Sequence, residues 1–165
     1  PNEVVKKDQH QHTYFEKNKR TILSDYLQQE FNHKERIIYQ NDDFVILVPF
    51  WAVWPFEVMI LPKKAQASIA ILSKQERVNF AECISVITKA YDRLFNCSFP
   101  YSSGIHQAPT NDKNNDHWHW HMTFYPPLLR SATVKKFIVV YEMFGMPQRD
   151  ITAETAAERI RNCVE

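Results

Sequence analysis

His117, His119 and His121 alternate with Trp118 and Trp120, and Met122, Thr123, Phe124, Tyr125, Pro126 and Pro127 follow. In an extended strand, successive side chains point to opposite faces. That reading lines one face with three imidazoles and the other with Trp118, Trp120 and Met122. The apolar face can bury in a core while the imidazole face meets a polar site. An imidazole can ligate a metal, move a proton or attack phosphorus. Same-face residues lie roughly 6.5–7 Å apart along a strand, so their rings can converge on one ion. His106, on a nearby predicted strand, is placed to add another nitrogen.

The elements that must position these residues can be read from periodicity and punctuation. Residues 13–31 predict an amphipathic helix with an apolar stripe of Ile22, Leu23, Tyr26 and Leu27. Strands are predicted at 36–40 and 44–48, with Asn41-Asp42-Asp43 as the turn. An aromatic connector, 51–56, leads to a third strand at 57–61, ended by Pro62. Ser73 and Glu76 form a capping box. Phe80, Ile84, Ile87, Tyr91, Leu94 and Phe95 then recur at helical spacing, and the helix should stop near Asn96. Strands at about 101–107 and 118–124 flank a polar loop, 110–116. A further strand is expected at 136–142, and Thr152 caps a final helix through Arg161. Strands joined by short turns predict an α+β domain, a mainly antiparallel sheet packed by helices. No internal repeat or low-complexity linker interrupts residues 1–165, so a single domain is expected.

Composition narrows the function classes. The chain has 165 residues, 44% hydrophobic and 13% aromatic, enough for a real core. A net charge of +1 and no dense basic run argue against nucleic-acid binding. No apolar stretch approaches membrane-spanning length, and no secretory segment is visible. Cys83, Cys97 and Cys163 are sparse and form no CxxC pair, which fits a reducing cytoplasm. Gly104 and Gly145 are the only glycines. A Walker loop, a GxGxxG turn and a GxSxG elbow are therefore all missing from these residues. The chain begins Pro-Asn-Glu rather than with Met, as a processed protein or a piece of a longer one would.

Two resemblances follow from these residues. The His117-Trp-His-Trp-His121 alternation is similar to the histidine-triad signature, whose middle imidazole attacks an α-phosphate. It implies a self-contained nucleotide hydrolase with His119 as nucleophile. A much longer run points elsewhere. Residues 125–137, Tyr141-Glu142-Met143, Gln148-Arg149-Asp150, 49–57, 97–101 and 152–159, taken in order, resemble the C-terminal half of galactose-1-phosphate uridylyltransferase. Both halves of that family resemble the histidine-triad fold, which explains the imitation of the triad motif.

The longer resemblance implies a function. Family members exchange UMP between UDP-glucose and galactose 1-phosphate in galactose metabolism (the Leloir pathway), through a uridylyl-histidine. That histidine lies in a His-Pro-His-Gly-Gln motif, which this sequence lacks, just upstream of the point matching Pro1. The chain is thus expected to be the substrate-binding half, inactive alone and partnered by an N-terminal half within a homodimer. By motif position, Lys136, Phe137, Val139, Tyr141, Glu142 and Gln148 match the substrate-contacting segment. Lys136 can neutralise phosphate, and Glu142 and Gln148 can hydrogen-bond sugar hydroxyls. Removal of the partner half is expected to expose Trp51, Trp54 and Phe56.

The family also implies a second metal, iron or zinc, held by a Glu, one His on an earlier strand and two His at i and i+2. His106 and His121 match two positions. The third His falls on Thr123 and the Glu on Lys7. A protonated lysine cannot ligate, and Thr is a poor transition-metal ligand. His119, where the family commonly has Gln, could join His106 and His121 in a shifted site, assisted by His10 and His12. A weak or absent metal is expected in this half. A third possibility is a non-catalytic binding or dimerisation module that kept the fold.

Overall fold

A computed structural model describes residues 2–111, 114–126 and 151–164. The chain opens with two helices, α1 (Asn2–Asn18) and α2 (Ile22–His33). This corrects the single helix expected over 13–31. Lys19 turns left-handed at φ 55°, and Thr21 adopts an extended backbone. The Thr21 hydroxyl accepts from the Ser24 N–H and restarts the helix as its N-cap. α1 is polar nearly all round, so periodicity gave it no signal.

Three strands follow: β1 (Ile37–Gln40), β2 (Phe44–Leu47) and β3 (Val58–Pro62). A short 3₁₀ turn at Ile69–Ile71 precedes α3 (Lys74–Phe95). The Ser73–Glu76 capping box opens α3, and Asn96 closes it in the left-handed region. β4 (Ser102–His106), β5 (His121–Tyr125) and α4 (Ala153–Arg161) complete the described elements. β5 begins three residues later than the sequence predicts. The strand expected at 136–142 lies outside the described residues.

The sheet order is β1-β2-β3-β5-β4, and every pairing is antiparallel. β2 and β3 are buried along their whole length because both faces are covered. On one face, Phe44, Ile46, Val58 and Ile60 pack against Phe80, Cys83, Ile87 and Tyr91 of α3 and the small residues of α4. On the other, Val45, Leu47, Met59 and Leu61 pack against Leu23 and Leu27 of α2. Tyr91, fully buried, donates its hydroxyl to the Phe56 carbonyl at 2.7 Å.

The aromatic connector is only partly exposed. Trp51 is open to solvent, with Phe50 and Val53 beside it in sequence. Phe56 is not exposed as expected. It is buried, with its ring edge-on to Phe95 and the Arg159 guanidinium over its face. Trp54 is half-buried and donates its indole N–H to the Pro126 carbonyl.

Arg36 ties the two ends of the domain together. Its Nε donates to Glu30 at 2.8 Å and its Nη1 to Glu154 at 2.6 Å. Glu30 has no exposed surface, and among the described residues its second carboxylate oxygen makes no geometrically sound hydrogen bond. An uncompensated buried carboxylate is costly. Arg36→Met should therefore destabilise the fold by about 3–5 kcal/mol, read as a lower urea midpoint. Adding Glu30→Gln to that variant should recover part of the loss.

Candidate functional site

β5 keeps the alternation of the histidine motif from residue 119 onward. Trp120 and Phe124 enter the α3-side core, and Met122 packs against it. Trp120 lies against Phe44 and Phe80. His119, His121 and Thr123 take the other face. Upstream the strand reading fails, because residues 117–120 pair with no strand among the described residues. The Trp118 N–H instead bonds the Asn115 carbonyl, and the Trp120 N–H bonds that of Gln66. As a result His117 and Trp118 reach the same oxygen. His117 Nε2 and Trp118 Nε1 each lie 2.7 Å from Asp8 Oδ1 on α1. Those hydrogen bonds, from His117 first, hold the Asp8 carboxyl below its ordinary value.

The imidazole face is not an open polar surface, because α1 and α2 cover it. His119 is fully buried. Its Nε2 lies 2.9 Å from the Pro62 carbonyl, which can only accept, so Nε2 carries the proton. Its Nδ1 then accepts from the Thr21 hydroxyl at 3.2 Å. Burial pushes its pKa down to about 4. With both nitrogens committed, His119 has no lone pair for phosphorus or for a metal. Its position is structural, and the triad-hydrolase reading loses its nucleophile.

His106 and His121 do come together, as paired residues of β4 and β5. Their rings stack with centroids 4.9 Å apart and planes 16° from parallel. His121 Nδ1 donates to the His119 carbonyl at 3.2 Å, leaving Nε2 as its acceptor nitrogen. His106 Nδ1 faces Lys7 Nζ at 3.3 Å, and its Nε2 meets Thr123 Oγ1 at 3.1 Å. An ammonium can only donate, so Nδ1 accepts and Nε2–H donates to the threonine. Burial, with the neighbouring Lys7 charge adding to it, lowers the pKa of His106. Burial also takes His121 down to about 3, against the pull of the His119 carbonyl.

Lys7, His106, His121 and Thr123 thus share one cavity of about 270 Å³. These are the four positions at which the sequence resemblance implies a metal. The donor set does not fit one. Lys7 is a cation, Thr123 accepts a hydrogen bond, and both His106 nitrogens are in use. Among the described residues, no group of three or more His, Cys, Asp or Glu could hold a metal ion. His10 lines the same cavity, while His12 sits edge-on to His117.

Sequence reasoning missed Glu57, which lines this cavity although it is buried. Burial raises its pKa above the ordinary carboxylate value. The signal was there, since Glu57, just before β3, alternates with Met59 and Leu61 and so shares the α2 face. Lys136, Phe137, Val139, Tyr141, Glu142 and Gln148 all lie outside the described residues.

Among the described residues, five antiparallel strands with this order, helix-packed on both faces, give a histidine-triad-like fold. A Hit-like protein from Bartonella henselae superimposes with a TM-score of 0.53 at 15% identity, covering 78% of this chain and 86% of that one, which speaks to fold alone. The family model for galactose-1-phosphate uridyl transferase, C-terminal domain, matches residues 7–165. A galactose-1-phosphate uridylyltransferase of Haemophilus influenzae is 49% identical over 161 residues, 98% of this chain and 46% of that protein. A solved uridylyltransferase mutant superimposes with a TM-score of 0.85 at 26% identity, covering 99% of this chain and 53% of that one. The chain belongs to the galactose-1-phosphate uridylyltransferase family, in its C-terminal domain. It spans about half the length of the curated relatives it matches.

The buried neutral His119 makes acid stability testable. Its folded value, about 4, lies below the ordinary 6.5. Below pH 6.5 the unfolded chain takes up a proton that the folded imidazole refuses. Its contribution is therefore complete above pH 6.5 and is lost as pH falls to 4, by about 3 kcal/mol in all. His119→Gln can keep one donor and one acceptor but does not titrate. Its stability should fall less steeply than wild type between pH 6.5 and 4 in urea melts, with His121 contributing equally to both.

Proposed function

We propose that this chain is the substrate-binding half of a UDP-glucose:hexose-1-phosphate uridylyltransferase, which passes UMP between UDP-glucose and galactose 1-phosphate. The observation that carries this reading is the family match over residues 7–165. Near-half identity to curated uridylyltransferases supports it. The nucleophilic imidazole belongs to the N-terminal half. In the first half-reaction it takes UMP from UDP-glucose and releases glucose 1-phosphate. In the second, galactose 1-phosphate accepts that UMP.

Lys136, Glu142, Gln148 and Tyr141 supply the polar contacts to sugar and phosphate, with Phe137 and Val139 contributing backbone groups. The ammonium of Lys136 offsets phosphate charge, and the carboxylate and amide grip sugar hydroxyls. The working unit is a cytoplasmic homodimer, and any zinc or iron of the full-length enzyme is bound outside the His106–His121 pair. The three cysteines are free thiols, which suits a reducing compartment. Among the described residues, no helix is long and apolar enough to cross a membrane.

The test is steady-state kinetics on the full-length protein. Lys136→Met, Glu142→Gln and Gln148→Ala should each lower kcat/KM for galactose 1-phosphate. For Lys136→Met the expected drop is ~30- to 150-fold, the loss of a charge-assisted hydrogen bond of about 2–3 kcal/mol. Wild-type kinetics in all three variants would end this reading, as would uridylyl transfer by the isolated 165-residue chain.

A further inference from the structure

Lys7 projects from α1 toward a pair of stacked imidazoles, and its Nζ lies 3.3 Å from His106 Nδ1. This is an unusual place for an ammonium. Two adjacent imidazoles can offer lone pairs to a shared cation. Here the proton positions show how the lone pairs are used. His106 gives its lone pair at Nδ1 to the ammonium and its N–H to Thr123. His121 gives its N–H to the His119 carbonyl and keeps a lone pair at Nε2. The arrangement thus resembles a coordination site in which the central cation is one the chain carries itself.

We propose that the Lys7 ammonium is the resident cation of this cavity, so that the His106–His121 pair takes no divalent metal and α1 is tied to the sheet by hydrogen bonds instead of coordination bonds. Two facts beyond the Lys7 contact support this. Thr123 satisfies the remaining nitrogen of His106, which a ligating residue in its place could not do while bound to an ion. A second tie, Asp8 to His117 and Trp118, anchors α1 one residue further along. α1 buries little of its own surface, so such polar ties decide where it docks. A divalent ion taking the Nδ1 lone pair of His106 would have to displace a covalently tethered positive charge.

Metal content of the full-length protein tests the proposal, counted as zinc plus iron per chain after dialysis against excess zinc. His106→Gln removes a would-be ligand while keeping a polar side chain. Its count should equal that of the wild type, whatever the other half holds. The double variant Lys7→Glu/Thr123→His removes the ammonium and supplies two ligands. It should gain one equivalent over wild type, and its melting temperature should become sensitive to chelator. Loss of one equivalent in His106→Gln would overturn the proposal, because the native pair would then be loaded. A folded double variant that gains no metal would also overturn it, because the ammonium would not be what excludes the ion.

Discussion

The neutral imidazole of His119 holds together the parts of the molecule that would otherwise meet only through side-chain packing. Its N–H reaches the last carbonyl of β3, its lone pair takes the hydroxyl that caps α2, and its own carbonyl accepts from His121. One residue thereby fixes where α2 starts, how residues 117–120 cross the end of the sheet, and which nitrogen of His121 carries the proton. A buried polar group is tolerated only when its bonds are made, and here all of them are. A ring with this task cannot also be a nucleophile. The motif that most suggested catalysis has become part of the frame.

Much of the frame was legible in the sequence. The Ser73–Glu76 box and the Asn96 stop define α3 almost to the residue because capping is local chemistry. The strands read at 44–48 and 57–61 overlap β2 and β3, since central strands covered on both faces need apolar residues along their length. The break between α1 and α2 was not legible, because Lys19 must turn left-handed and no glycine marks the place. The late start of β5 was hidden for a similar reason. Alternation in sequence does not say where hydrogen-bonded pairing begins, and only tertiary pairing with His106 marks that point.

The site was legible in part, and for the same reasons. Same-face logic correctly brought His106 and His121 together. It could not show that two helices roof the imidazole face, because α1 carries hardly any apolar signal. Nor could it assign proton positions. These depend on whether a ring nitrogen meets a carbonyl, an ammonium or a hydroxyl, and those partners come from residues far off in sequence. Glu57 escaped notice because it sits at the margin of an aromatic segment that drew attention to packing.

The Arg36 node has a kinetic meaning as well. Glu154 lies 118 residues beyond Arg36, and Arg161 reaches back 124 and 126 residues to the carbonyls of Ile37 and Glu35. Closing so large a loop costs entropy before any contact returns it. α4, which fills the core with Ala153, Ala156, Ala157 and Ile160, therefore docks through contacts that carry a high loop-closure cost. On a ribosome, the sheet face of a nascent chain would be covered by α3 alone until that helix emerged, leaving part of the apolar core open to solvent during that interval.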